Sequence, residues 1–159
     1  MDRESIRSYM DLYHLESERE VQEIEAKLKI AAWMGLISDS DFSAVEKRRK
    51  EKNESNRKNL EDGKIVYGVR SFTPAMYLQY ELTRFKLEFT VYQGTSVGPW
   101  HCQRITETQK KDFYETNRDL FTRYFGDSFA YEEVHMIIEK KLKEIEYEKL
   151  VQKILCQLI

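Results

Sequence analysis

Proline stands only at positions 74 and 99 and glycine at six positions, so most of the chain carries no residue that breaks a helix. An all-α fold of about five to six helices is the expectation, with each helix located by its ends. Ile6, Met10 and Tyr13 recur at the spacing of a short amphipathic helix whose apolar edge needs a partner. Ser17 with Glu20 then makes the S-x-x-E capping pattern, and the face Val21, Ile24, Leu28, Ala31 follows. Gly35 is placed to end that helix, with Leu36 folding back over the last turn.

Beyond Phe42 and Val45 the chain reads EKRRKEKNESNRKN without an apolar side chain. A helix polar all round has no core face, so residues 39–62 are predicted to form a charged arm that protrudes into solvent or bridges between parts. Gly63 stops the arm, and Ile65 to Val69 make a brief extended segment or turn around Gly68. A new helix starts with Thr73 as N-cap and Pro74 at its first position, with Phe72 and Tyr77 spaced for a hydrophobic staple. Its stripe Leu78, Leu82, Phe85, Phe89, Tyr92 stays on one face, and Tyr80, Leu87 and Val91 widen it.

The segment QGTSVGPWHCQR, residues 93–104, is the clearest loop. Thr106 with Gln109 repeats the capping pattern before a short helix lined by Phe113, Asn117, Leu120 and Phe121. Tyr124 to Ser128 turn the chain, and a last long helix over residues 130–158 carries Val134, Ile138, Leu142 and Ile145, then Val151, Ile154, Leu155 and Leu158. One domain over residues 1–159 accommodates these elements.

Charge is abundant but balanced, 26 Lys and Arg against 28 Asp and Glu. The basic run of the arm is interrupted by Glu46, Glu51, Glu54 and Glu61, which favours a solvated helix over a phosphate-tracking stripe, so no nucleic-acid partner is assigned. No window approaches the roughly 18 apolar residues of a membrane span. The opening MDRESIRSYMDLYH lacks the apolar centre of a signal peptide. The setting is cytoplasmic for the chain as written and extracytoplasmic if an export signal has been removed.

Cys102 and Cys156 are too few for a disulfide scaffold and lack metal-ligand spacing. His14, His101 and His135 are scattered over separate elements, and no nucleotide-, phosphate- or zinc-binding motif occurs, so no cofactor, metal or catalytic residue is assigned. His101 and Cys102 are neighbours, but a nucleophile and its base are brought together by the fold rather than by adjacency.

The order GLISDSDFSAVEKRRKEKNESNRKNLEDGKIVYGVRSFTPAMYLQYELTRFKLEF resembles the N-terminal helical module of SurA-like and PrsA-like foldases. The resemblance rests on a G-x-x-x-Y-G-x-x-x-F-T signature, here Gly63, Tyr67, Gly68, Phe72 and Thr73, and on Ile105, Thr106, Tyr114, Asn117 and Phe121 further on. Phe129 to Val151 is similar to the family's returning C-terminal helix. No parvulin prolyl isomerase domain stands between these segments, so the resemblance carries over the peptidyl-prolyl isomerase family label but no isomerase residue.

The resemblance implies a non-catalytic, foldase-like chaperone that holds unfolded or extended polypeptide in a cleft lined by Tyr67, Phe72, Tyr77, Tyr80, Phe85 and Tyr92. Aromatic side chains suit that role, offering rigid contact area at low entropic cost. Two other readings compete. One is a dedicated assembly protein, a homodimer or stable complex with a protein partner that covers the same apolar face. The other is a small-molecule or enzymatic site near Trp100, His101 and Cys102.

Overall fold

Local capping chemistry sets where several of the helices begin. In the computed structural model, which describes residues 1–158, the elements are α1 (Arg3–Tyr13), α2 (Glu18–Trp33), α3 (Phe42–Glu61), α4 (Pro74–Val91), the two-residue strands β1 (Ser96–Val97) and β2 (Trp100–His101), α5 (Glu107–Thr116), a 3-10 turn (Arg118–Phe121) and α6 (Tyr131–Leu158). Asp2 caps α1 by accepting from the Ser5 N–H at 2.8 Å. Ser17 caps α2 through the Glu20 N–H at 3.2 Å, while the Glu20 carboxylate reaches past the cap to the Glu16 N–H at 2.9 Å. The reciprocal box expected at Thr106 and Gln109 is complete. After α2 the Leu36 N–H returns to the Ala31 carbonyl at 2.9 Å, which folds the chain back as the sequence predicts.

The chain forms two compact units, one of Met1–Phe85 with the stretch from Val151 onward, the other of Lys86–Leu150. The division falls inside α4 and inside α6. In the first unit the predicted α2 face is buried, and Tyr13, Phe42, Val45, Leu78 and Phe85 complete the core around it. Tyr9 stacks on Phe42 with centroids 4.5 Å apart. Each large apolar side chain so enclosed contributes about 1.5–3 kcal/mol relative to exposure.

The second unit has a smaller core of Tyr114, Phe121, Val134 and Ile138, and Phe89 meets Tyr147 at 5.2 Å. The segment expected to be a loop contains a hairpin: Val97 pairs with Trp100 and Ser96 with His101 across Gly98 and Pro99. Gly98 has φ +57°, which the first central position of such a tight turn requires. Strands this short have no alternation for sequence periodicity to detect. The Tyr92 hydroxyl donates to the Ser96 carbonyl at 2.8 Å and ties the hairpin to the end of α4.

Leu120 departs from its expected inward place and is 62% exposed. The α-helical spacing assumed for it ends at Thr116, where the Asn117 side chain donates to the Phe113 carbonyl at 2.9 Å and the backbone tightens into the 3-10 turn. At about three residues per turn the next positions rotate, which carries Phe121 inward and Leu120 out. The all-α class holds, and no helix of the described residues is long and apolar enough to cross a membrane.

Candidate functional site

The charged arm proves to be two-sided. Phe42, Val45, Arg49, Asn53 and Asn56 follow helical spacing along α3 and face the first unit, whereas Lys47, Lys50, Glu51, Lys52, Glu54 and Ser55 are exposed. The protruding, solvated arm is corrected accordingly: its inner polar side chains bury themselves by bonding backbone. Asn53 donates to the Phe72 carbonyl at 3.0 Å and accepts from the Phe72 N–H at 2.7 Å, a two-point clamp on one residue. Asn56, 4% exposed, donates to the carbonyls of Val69 and Arg70 at 3.3 and 3.2 Å. Arg49 adds a bond to the Phe72 carbonyl at 3.0 Å.

Arg48 makes the deepest of these contacts. Its Nε and Nη2 donate to the two oxygens of Glu81 at 2.7 and 2.9 Å, and Nη1 reaches the Asp39 carbonyl at 3.1 Å. Glu81 is almost fully enclosed, so this fork is what makes its charge tolerable. Burial works against the Arg48 charge, but the Glu81 hydrogen bond and charge prevail and raise its pKa. Burial, with the same Glu81 beside it, pushes the Tyr77 phenol up and keeps it neutral. Tyr13 is pushed up likewise by burial and by Glu46, whose carboxylate accepts from it at 3.4 Å.

Around this corner the structure gathers three of the six aromatic candidates. Phe72, Tyr77 and Tyr80 form a triangle with centroids 5.3–5.8 Å apart, in which Phe72 and Tyr77 are buried and Tyr80 is partly open. Phe85 lies in the core at no measurable exposure. Tyr67, 87% exposed, stands on the connection after α3, and the Tyr92 hydroxyl is occupied by the hairpin. A concavity of about 400 Å³ in the same unit lies between α1, α2 and α4, with Ile24, Leu78 and Leu82 among its lining and His14, Glu20, Glu23 and Gln79 also contributing. Its carboxylates already have partners: Glu20 the Glu16 N–H, and Glu23 the Arg19 guanidinium at 3.4 Å.

The second unit holds the remaining candidate chemistry. Cys102 is a buried free thiol whose pKa is raised by burial, the opposite of what activates a nucleophile. His101 is exposed on β2. Among the described residues no group of three or more His, Cys, Asp or Glu is placed to hold a metal ion. Asp2 and Glu54 of the first unit and Glu107 of the second are carboxyls with lowered pKa, held down first by hydrogen bonds from the Ser5 backbone, Arg57 and Lys110 respectively.

Sequence reasoning treated Tyr124 to Ser128 only as a turn, yet it carries the barest aromatics in the molecule's described surface. Tyr124 and Phe125 are 95% and 93% exposed and meet edge to face at 5.2 Å. Two consecutive aromatics beside Gly126 in a polar turn were the available signal.

No protein-family model and no curated protein matches the chain. It is similar to two crystal structures of the GH136 lacto-N-biosidase from Eubacterium ramulus. The selenomethionine derivative aligns at 33% identity and TM-score 0.77 over 86% of this chain, and the native protein at 34% and 0.75 over 85%. In each case the match covers 27% of the enzyme, so this chain spans about a quarter of the length of those structures.

That likeness overturns the SurA-like and PrsA-like reading, and with it the peptidyl-prolyl isomerase label, the non-catalytic peptide-holding chaperone and the dedicated-assembly alternative. The signature that suggested the foldase has a local cause. Gly63 and Gly68, at φ +71° and +79°, make the corner after α3. Phe72 is clamped by Asn53, and the Thr73 hydroxyl caps α4 by accepting from the Met76 N–H at 3.3 Å. Any helix, corner and capped helix in this order reproduces most of the pattern.

Proposed function

We propose that the chain is the helical part of a glycoside hydrolase of the lacto-N-biosidase kind, and that it serves cleavage of the glycosidic bond that frees a lacto-N-bioside unit. The observation that carries this reading is the 33% identity at TM-score 0.77 over 86% of the chain. Sequence and fold agree over 86% of the chain, which is more than shared architecture requires.

Glycosidic cleavage ordinarily uses two carboxyl groups, one of them a general acid whose pKa is raised. The buried Glu81 has both oxygens committed to Arg48. Asp2, Glu54 and Glu107 are shifted in the opposite direction from a general acid. None of these four is placed as a general acid, and the reading assigns the bond-breaking carboxyls to the portion of such an enzyme that lies beyond the matched quarter, with this chain as the helical body that accompanies it.

The test is a chimera in which the matched quarter of the Eubacterium ramulus enzyme is replaced by this chain, assayed for release of p-nitrophenol from its lacto-N-bioside. Hydrolysis above that of an unrelated helical replacement supports the reading. Hydrolysis no better than that replacement overturns it.

A further inference from the structure

The corner at Tyr124 and Phe125 has no structural need for its aromatics. The isolated bridge between Thr122 and Ser128, with the Arg123 N–H on the Asp127 carbonyl at 2.5 Å, closes the turn through backbone alone. Phe129 is already covered on one side by the Arg123 guanidinium at 4.0 Å. Tyr124 and Phe125 thus add apolar surface to a turn that folds without them.

Apolar side chains on α6 are left to water as well. Arg123 Nη2 lies 3.5 Å from Glu133, which fixes the corner beside that residue's face of the helix. Met136 and Ile137 are three and four residues further on, the next positions of the same face, and are 73% and 64% exposed. Val134 and Ile138, further round the helix, are the positions that face the core, so Met136 and Ile137 are surplus to it. Four large apolar side chains of the second unit are thus left to water, two on the turn and two on the helix to which the Arg123–Glu133 pair ties it.

We infer that Tyr124, Phe125, Met136 and Ile137 form the surface on which the remainder of a GH136-type enzyme seats. This rests on the function proposed above. The occupant is set by the comparison: the match covers 27% of the enzyme, so most of its chain lies outside the helical part and must meet it somewhere. The seat calls for an apolar face on that remainder, because burying Tyr124 and Phe125 rewards an apolar partner and penalises an unpaired charge.

The test uses the same chimera with Phe125→Asp or Ile137→Asp, and Ile65→Asp, 73% exposed in the first unit, as control. The expected result is a fall in lacto-N-bioside hydrolysis on the order of tenfold for Phe125→Asp and Ile137→Asp, and none for Ile65→Asp. Melting of the chain by itself should be unchanged by either variant, which separates lost seating from lost folding. A chimera that hydrolyses with all three variants alike keeps the proposed function and overturns the seat. Self-association of the chain alone, abolished by Phe125→Asp, also overturns it by making a second copy the occupant.

Discussion

Two corners of the molecule look alike in sequence and are opposite in physics. Residues 63–73 and 122–130 are both short connections with glycine and aromatics between helices. The first is held from within: Asn53, Asn56 and Arg49 of α3 satisfy backbone of Val69, Arg70 and Phe72, and Phe72 sinks into the aromatic triangle. The second is bound by side chains only at its far end, where Tyr114 donates to the Phe129 carbonyl at 2.6 Å and Glu133 accepts from the Ala130 N–H at 2.7 Å. Its tip, residues 123–127, closes on its own backbone and turns Tyr124 and Phe125 outward. The aromatic Phe72 becomes structure where polar side chains bind its backbone, whereas Tyr124 and Phe125 remain available surface on a tip whose backbone none of the described ones binds.

The largest effect should come from stranding the buried carboxylate of the first corner. Arg48→Met leaves Glu81 charged and enclosed, and urea denaturation should show a loss of about 3 kcal/mol, the lower end for a broken buried pair because Arg48 is partly open. Adding Glu81→Met should restore most of it. A single variant of unchanged stability would mean that Glu81 is not enclosed as described.

Removing the clamp should cost somewhat less. Asn53→Ala deprives both the N–H and the carbonyl of Phe72 of a partner, and a loss of about 2 kcal/mol is expected. Arg49 still reaches the same carbonyl, which limits the damage.

A gain is expected at Tyr147, whose hydroxyl is buried without a hydrogen-bond partner. Tyr147→Phe should stabilise the chain by about 1 kcal/mol. It should also soften the alkaline limb of the stability curve. Burial pushes the phenols of Tyr13, Tyr77 and Tyr147 up, so above about pH 10 the unfolded chain releases protons that the folded chain retains. Stability is then full below that pH and falls as pH rises through it, less steeply in Tyr147→Phe. The smallest effect belongs to the second corner: Phe125→Ser should change stability by no more than about 0.5 kcal/mol in the isolated chain.

What the sequence made legible was whatever is decided within one or two turns. Ser17, Thr73, Thr106 and the face Val21, Ile24, Leu28, Ala31 behave as their spacing requires, since caps and stripes need only near neighbours. The inner face of α3 was not legible, because Asn53 and Asn56 read as solvated until the backbone they bind is known. Arg48 and Glu81 are 33 residues apart and carry no pattern that joins them. The foldase resemblance failed for a related reason: Gly63, Tyr67, Gly68, Phe72 and Thr73 record a turn and a cap, which many folds share. The bare corner was visible as two aromatics in a turn, but their exposure depended on the 3-10 geometry before it and the α6 register after it.

Hydrogen exchange of the chain alone and within the chimera sets the two corners against each other most directly. The account predicts that amides of residues 122–130 and of the first turns of α6 slow markedly in the chimera, while residues 69–72 exchange at the same rate in both. Slowing at 69–72 with none at 122–130 would contradict it.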